Sequence, residues 1–308
     1  MKVFITGGSG WIGSRVIPHL VEGGHTVVAL SRSEGSDKII SDAGGIPIRG
    51  SIEDPAFLKD QASKEDIDAV IHLAMNHDNF GGEGYDFVKQ ATISSDAVLA
   101  LADGLSSNGQ DQDRHKVLIN TSGTLSGAMA GFGGKELSET DSFVIPIRPD
   151  HYDAIKAKGV TPIVIRLSPV IYGEGDKGFI SQLINIARTK KVAGYLGEGE
   201  NRWSACHVND AAKLYALALE GGKEGILHGA SQMGVKGREI AEVIGERLGV
   251  EVKSIEKGEE HFGGFMNMVL GLDAPAANSI TKQRTGWTPK EKGLIQTIRE
   301  SQAYFASK

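Results

Sequence analysis

Three clusters of residues in this sequence have the types and the spacing to do chemistry. The first is TGGSGWIG at residues 6–13, with glycines at 7, 10 and 13. Between an apolar run and a helical one, that spacing gives a tight turn at Gly7 and a bare backbone at Gly10 that can approach a pyrophosphate. It also gives a close helix contact at Gly13. A helix opening there turns its free N–H groups and positive dipole end towards phosphate. The second cluster is Leu30-Ser31-Arg32-Ser33, at the end of the next apolar run. An NAD site usually has Asp or Glu there for the ribose 2′-hydroxyl. An arginine between two serines suits a 2′-phosphate instead, through a forked charged donor and two hydroxyls. The expected cofactor is therefore NADP, with NAD as the second choice. The third cluster is YDAIK, residues 152–156, whose i, i+4 spacing puts Tyr152 and Lys156 on one helix face.

These clusters need elements to hold them. KVFIT (2–6), HTVVALS (25–31), IPIRG (46–50), DAVIHLA (68–74), KVLINTS (116–122) and VTPIVIRLS (160–168) read as buried strands. Helical segments fall between them at about 54–63, 85–106 and 150–158. Continuous apolar strands alternating with helices predict an α/β fold, a Rossmann-type doubly wound parallel sheet covered on both faces. Ligands then sit at the carboxyl ends of the strands. After Ser168 the character changes: glycine-rich loops alternate with helices near 178–190, 209–220 and 236–248. The expected division is a dinucleotide-binding domain over 1–168, rejoined by segments near 204–230, and a smaller C-terminal substrate domain over 169–308. The polar stretch 103–115 reads as a surface connection, and HFGGFMNMVLGLDAP (261–275) as a packed helix and turn or a lid over an apolar substrate.

The bulk numbers narrow the class. The chain has 308 residues, 40% hydrophobic and 23% charged, with a net charge of -6 and no basic block, so nucleic acid is not the expected partner. No apolar run approaches the length of a membrane span, and the N-terminal apolar run is too short for a signal peptide. Cys206 is the one cysteine, so no internal disulfide can form. The expectation is a cytoplasmic protein with a small-molecule substrate.

TGGSGWIG, IHLA (71–74), INTSGT (119–124), VIRLSPVIYGEGD (164–176) and RWSACHVNDAAKLYALAL (202–219) follow one another in this order. Together they resemble the extended short-chain dehydrogenase/reductases, in the NAD-dependent epimerase/dehydratase branch. The resemblance spans the chain to about residue 220 and is weaker beyond. It implies that Ser9, Gly10, Trp11 and Ile12 line the pyrophosphate, and that Leu73 and Ala74 pass under the ribose. Ser51 and Ile52 take the place of an acid and a hydrophobic residue that flank adenine, with serine replacing the acid. Pro169 and Val170 match the loop beside the nicotinamide carboxamide. Ser122 matches the hydroxyl that bonds the substrate oxygen. Tyr152 would give or take the proton, and Lys156 would lower its pKa and hold the ribose. Arg202 matches an arginine that contacts substrate in relatives, although a surface ion pair fits its position equally. Relatives commonly pair through helices beside the fourth and fifth strands, which implies a homodimer. His77 and Asp78, with His72, suggest a metal, but no further ligand cluster joins them and no metal is expected.

One length does not fit. From a tyrosine beside the nicotinamide, the helix must run the height of the sheet before the sixth strand. That is roughly 20–25 Å, or on the order of 15 helical residues. Here Gly159 ends the helix and the strand starts at Thr161. Three readings follow. The helix is short and the pair displaced; residues of the family pattern are absent between about Pro146 and His151; or the helix is placed unusually and the pair works.

Overall fold

The computed structural model describes residues 1–76, 84–107, 116–146 and 149–306. Its centre is a seven-stranded parallel sheet. The strands are β1 (Lys2–Thr6), β2 (Thr26–Ser31), β3 (Ile46–Arg49), β4 (Ala69–His72), β5 (Val117–Gly123), β6 (Thr161–Leu167) and, after three strands outside it, β10 (Gly225–Gly229). Their spatial order is β10-β6-β5-β4-β1-β2-β3. All six strands expected from apolar runs are present and parallel. The order reverses between β1 and β4, which opens a crevice at their carboxyl ends.

Helices α1 (Gly13–Glu22), α2 (Glu34–Asp42), α3 (Pro55–Ala62), α4 (Phe87–Ser107), α5 (Leu125–Gly127), α6 (Tyr152–Lys156), α7 (Phe179–Lys190), α8 (Val208–Gly221) and α9 (Gly237–Leu248) follow in chain order. On one face of the sheet α1 and α8 pack on it and on each other. Val16, Ile17 and Leu20 of α1 are fully buried there, each worth about 1.5–3 kcal/mol. On the other face α3 and α4 cover Phe4, Val70 and Leu118. A second core lies under β7 (Val170–Tyr172), β8 (Val192–Tyr195) and β9 (Arg202–His207), with α7 and α9 around it. In it, β11 (Gln232–Lys236) joins β9 and β7, and β12 (Glu251–Ser254) pairs with β8. The chain returns to the first core through α8, β10 and the buried Trp287.

Three local expectations change. The helix expected over 150–158 is five residues long, because His151 enters it in a left-handed conformation (φ 59°) and Gly159 (φ 73°) ends it. The polar connection begins later than expected: 103–107 is the end of α4, and 108–115 lie outside the described residues. The segment 261–275 holds two short helices, Gly258–Phe262 and Gly264–Leu270, whose Phe262, Met266, Val269 and Leu270 are buried in the second core. They act as packing rather than as a free lid. Among the described residues, no helix is long and apolar enough to cross a membrane.

Candidate functional site

The glycine turn sits at the crevice between β1 and β4. Gly7 has φ 76°, and a Cβ there would lie 2.8 Å from Ala74 N, so the turn presses on the Leu73-Ala74 backbone. A Cβ on Gly13 would lie 2.1 Å from Gly7 O, so α1 packs directly against the turn. A Cβ on Gly10 would meet only Gly7 O, at 3.0 Å, which leaves that side of the turn open. The turn is closed by Gly10 N to Gly7 O at 2.9 Å. The N–H groups of Trp11 and Ile12 have no acceptor among the described residues, and α1 has neither a side-chain cap nor an acid in its first turn. An unclaimed set of donors at a helix N-terminus, beside open space, fits a pyrophosphate.

At the end of β2, Ser33 caps α2 by accepting from Ser36 N at 3.2 Å, and Ser31 Oγ donates to Ser33 O at 3.1 Å. Arg32 is exposed and makes no hydrogen bond or ion pair among the described residues. Of the two acids in the first turn of α2, Asp37 is taken by Arg49 at 2.6 Å and Glu34 is exposed. A free guanidinium at a capped helix N-terminus suits an added phosphate. Ser51 accepts from Glu53 N at 3.1 Å, and Ile52 packs against the core under β2. Pro169 is half-buried and Val170 buried where β6 passes into β7.

At the end of β5 the three hydroxyls differ. Thr121 donates to His72 O and meets Tyr215 Oη, each at 2.8 Å. Thr124 lies 3.1 Å from Ser204 Oγ and is buried. Ser122 carries no side-chain hydrogen bond among the described residues, so its hydroxyl is the one left for a substrate oxygen. His72, weighed above as a metal ligand, is instead held between Thr6 Oγ1 at 2.8 Å and Ser94 Oγ at 3.0 Å. His77 and Asp78 lie outside the described residues.

Tyr152 and Lys156 are not brought to Ser122. Lys156 Nζ pairs with Glu224 Oε1 at 2.8 Å. Glu224 precedes Gly225, which is in register with Ile163 and, through it, with Ile119. Ser122 is four rows further along, roughly 13 Å at strand spacing. Tyr152 follows Asp150, whose carbonyl accepts from Asn120 Nδ2 at 2.8 Å, two residues below Ser122. Burial, and then Glu224, push the Tyr152 phenol up, against the direction an acid/base tyrosine needs. The physical reason is the five-residue α6, which leaves no helix to carry the pair up to the carboxyl edge.

Beside Ser122 the chain places a charge not anticipated from sequence. Arg166 is paired in register with Ser122 and is 1% exposed. Its guanidinium donates to Asp141 O at 3.0 Å and to Asp150 Oδ2 at 3.2 Å, and lies 4.1 Å from the Phe143 ring centre. Burial lowers its pKa and Asp150 opposes the fall. The signal was present: a charged residue inside the apolar run VIRLS needs a buried partner. Arg202 is spent on Asp273 in a fork of 3.1 and 2.7 Å, the ion-pair alternative. Burial pushes Cys206 up to about 12, so it is packing rather than a nucleophile. Among the described residues, no group of three His, Cys, Asp or Glu side chains could hold a metal.

The model of the NAD dependent epimerase/dehydratase family matches residues 3–149 and 150–229. The chain belongs to this family. The match breaks between residues 149 and 150, at the approach to α6, the helix that is too short to run the height of the sheet. An uncharacterized protein of Schizosaccharomyces pombe is 38% identical over 310 residues, spanning 99% of this chain and 100% of the relative. A 4-hydroxy-2-methyl-3-oxo-4-farnesyl-3,4-dihydroquinoline-1-oxide ketoreductase of Stigmatella aurantiaca is 29% identical over 238 residues, 73% of this chain and 66% of the relative. The UDP-glucose 4-epimerase of Thermus thermophilus, solved with NAD, has the same fold, with a TM-score of 0.67, 20% identity and 100% of both chains covered. The extended short-chain reductase resemblance and the Rossmann-type sheet are both borne out.

Proposed function

We propose that this family member is an NADP-dependent oxidoreductase that interconverts a carbonyl and a secondary alcohol on a small organic molecule. The observation that carries the reading is the open glycine turn with unclaimed Trp11 and Ile12 N–H groups, set beside a free Arg32. When bound, the nicotinamide gives or accepts hydride. The chain's own residues bind and orient. Ser9, Gly10, Trp11, Ile12 and the α1 dipole hold the pyrophosphate, and Arg32 holds the 2′-phosphate, with the Ser31 and Ser33 hydroxyls turning to it from Ser33 O and Ser36 Oγ. Ser51 and Ile52 flank the adenine, Leu73 and Ala74 lie under the ribose, and Pro169 and Val170 flank the carboxamide. Ser122 hydrogen-bonds the substrate oxygen and polarises it, the proton that completes the alcohol comes from water, and the residues after Ser168 supply most of the substrate's surroundings. The Stigmatella relative is a ketoreductase by name, which agrees with a carbonyl substrate.

A non-catalytic dinucleotide-binding protein is the second reading. The five-residue α6 favours it, because it keeps Tyr152, the expected proton donor, and Lys156, paired with Glu224, away from Ser122. Fluorescence titration with NADPH and NADH, followed by a carbonyl panel on wild type and Ser122→Ala, separates the two. Wild type should prefer NADPH. Arg32→Ser should weaken NADPH about 10- to 100-fold, the range for a lost charge-assisted contact, and leave NADH unchanged. Tighter NADH binding by wild type sinks the NADP assignment. Tight NADPH binding with no carbonyl turned over selects the second reading.

A further inference from the structure

The loop after β7 reaches back to the dinucleotide turn, and a tyrosine from residue 304 closes it. Gly173 to Asp176 form a four-residue turn, with Asp176 N donating to Gly173 O at 3.1 Å and glycines at φ 135° and 84°. At its tip the Glu174 carbonyl accepts from Trp11 Nε1 at 2.8 Å and from Arg15 Nη2 at 3.0 Å. Arg15 Nη1 also donates to the Trp11 carbonyl at 2.7 Å. At its base the Tyr304 hydroxyl donates to Asp176 Oδ2 at 2.7 Å and accepts from Gly173 N–H at 3.2 Å. Asp176 Oδ1 accepts from Gly178 N–H at 2.5 Å. One phenol therefore ties both ends of the turn. Tyr304 and Phe305 are anchored on the second core, with the Arg247 guanidinium 4.5 Å from the Phe305 ring centre.

We infer that Tyr304 and Asp176 are positioning residues for the dinucleotide turn: they hold the Glu174 carbonyl where it fixes Trp11 and Arg15, and so fix the N–H groups that face the pyrophosphate. The inference rests on the cofactor reading above. Burial pushes the Asp176 carboxyl up to about 6, so keeping it there is costly, and its two oxygens are spent on the phenol that closes this turn and on the Gly178 N–H just beyond it. Tyr304 has no role in packing that its ring alone could not fill, which makes the hydroxyl the part to test.

The protein reports on this contact by itself. Of its three tryptophans, Trp203 and Trp287 are 2% and 1% exposed, and Trp11 is the one partly open to solvent. Acrylamide quenching of tryptophan emission in cofactor-free protein therefore reads Trp11. Tyr304→Phe keeps the ring and removes the hydroxyl. It should at least double the quenching constant, with no such rise in a Trp11→Phe background, and should weaken NADPH binding about 5- to 20-fold. Asp176→Asn keeps an acceptor for the phenol and should stay near wild type, whereas Asp176→Ala should match Tyr304→Phe. Unchanged quenching in both Tyr304→Phe and Asp176→Ala overturns the inference. So does a rise in quenching with no loss of NADPH affinity. Failure of wild type to bind either nucleotide overturns the cofactor reading itself, while the quenching series still decides whether Tyr304 holds the turn.

Discussion

Two buried groups give this protein opposite responses to acid, and removing one should unmask the other. His228 is fully buried on β10, with Nδ1 2.9 Å from the Ala277 carbonyl and Nε2 without a partner among the described residues. Burial lowers its pKa from 6.5 to about 4. Asp176 is raised by burial from 3.8 to about 6. The histidine is depressed in the folded state, so its contribution is present above 6.5 and is lost as pH falls towards 4. The aspartate is raised, so its contribution is present below 3.8 and is lost as pH rises through 6. Each difference is a little over two tenfold steps in proton affinity, worth roughly 3 kcal/mol. Between pH 6.5 and 4 the two nearly cancel. Urea unfolding of wild type, Asp176→Asn and His228→Gln at pH 7, 5.5 and 4.5 separates them, since every other group contributes equally to all three. Relative to wild type, Asp176→Asn should lose stability on acidification by up to about 1.4 kcal/mol per pH unit, and His228→Gln should gain it by a similar slope. Stability curves for the two variants that run parallel to wild type would refute the argument. So would two slopes of the same sign.

The site makes further predictions. Gly13→Ala puts a Cβ 2.1 Å from the Gly7 carbonyl, so it should cost about 1–3 kcal/mol in urea unfolding and abolish measurable NADPH binding by fluorescence titration. Normal binding by that variant would remove the close contact from the account. Lys156→Ala should leave the NADPH dissociation constant within about twofold, because Lys156 pairs with Glu224 roughly 13 Å along the sheet from Ser122. A tenfold loss in the same titration would return Lys156 to the ribose. Tyr152→Phe should likewise leave turnover of any carbonyl substrate unchanged in a stopped spectrophotometric assay, and a loss of several orders of magnitude would restore it as proton donor.

What could be read from the sequence follows from what local chemistry determines. Five of the six strands were legible because each is a short apolar run largely buried in the sheet, as parallel strands are, whereas β3, with no buried residue, is the edge strand and was legible only as a short apolar run. The glycine turn was legible because its three glycines answer three separate steric demands, two of which are met by contacts under 3 Å at Gly7 and Gly13. The missing acid in Leu30-Ser31-Arg32-Ser33 is a property of four adjacent residues and is plain in the sequence, whereas the capping of α2 by Ser33 needed the structure. The Asp176–Tyr304 bond and the Arg166–Asp150 pair were not legible. Their members are separated by 128 and 16 residues, and nothing local to a tyrosine or an aspartate says which distant partner it will meet.

YDAIK lies between these cases, and it shows where pattern should yield to length. Its i, i+4 spacing is a local property, and α6 does place both side chains on one short helix. Its distance from β6 is a property of the sheet, and a helix that ends at Gly159 cannot also begin at the nicotinamide. The geometry obeys the second constraint. The vacated position is not left empty: Asp141, Phe143 and Asp150, from the segment that leads into α6, close over Arg166, and Asp150 bonds Asn120, Arg166 and the Tyr152 N–H together. A buried guanidinium two strand positions above Asn120 and in register with Ser122 would be ruinous without those partners. The shortened helix and the buried arginine are therefore one structural solution. Lengthening α6 to restore the tyrosine would displace Asp150, strip Arg166 of its counter-charge and disturb Ser122 itself. The family pattern cannot be rebuilt here by moving one residue.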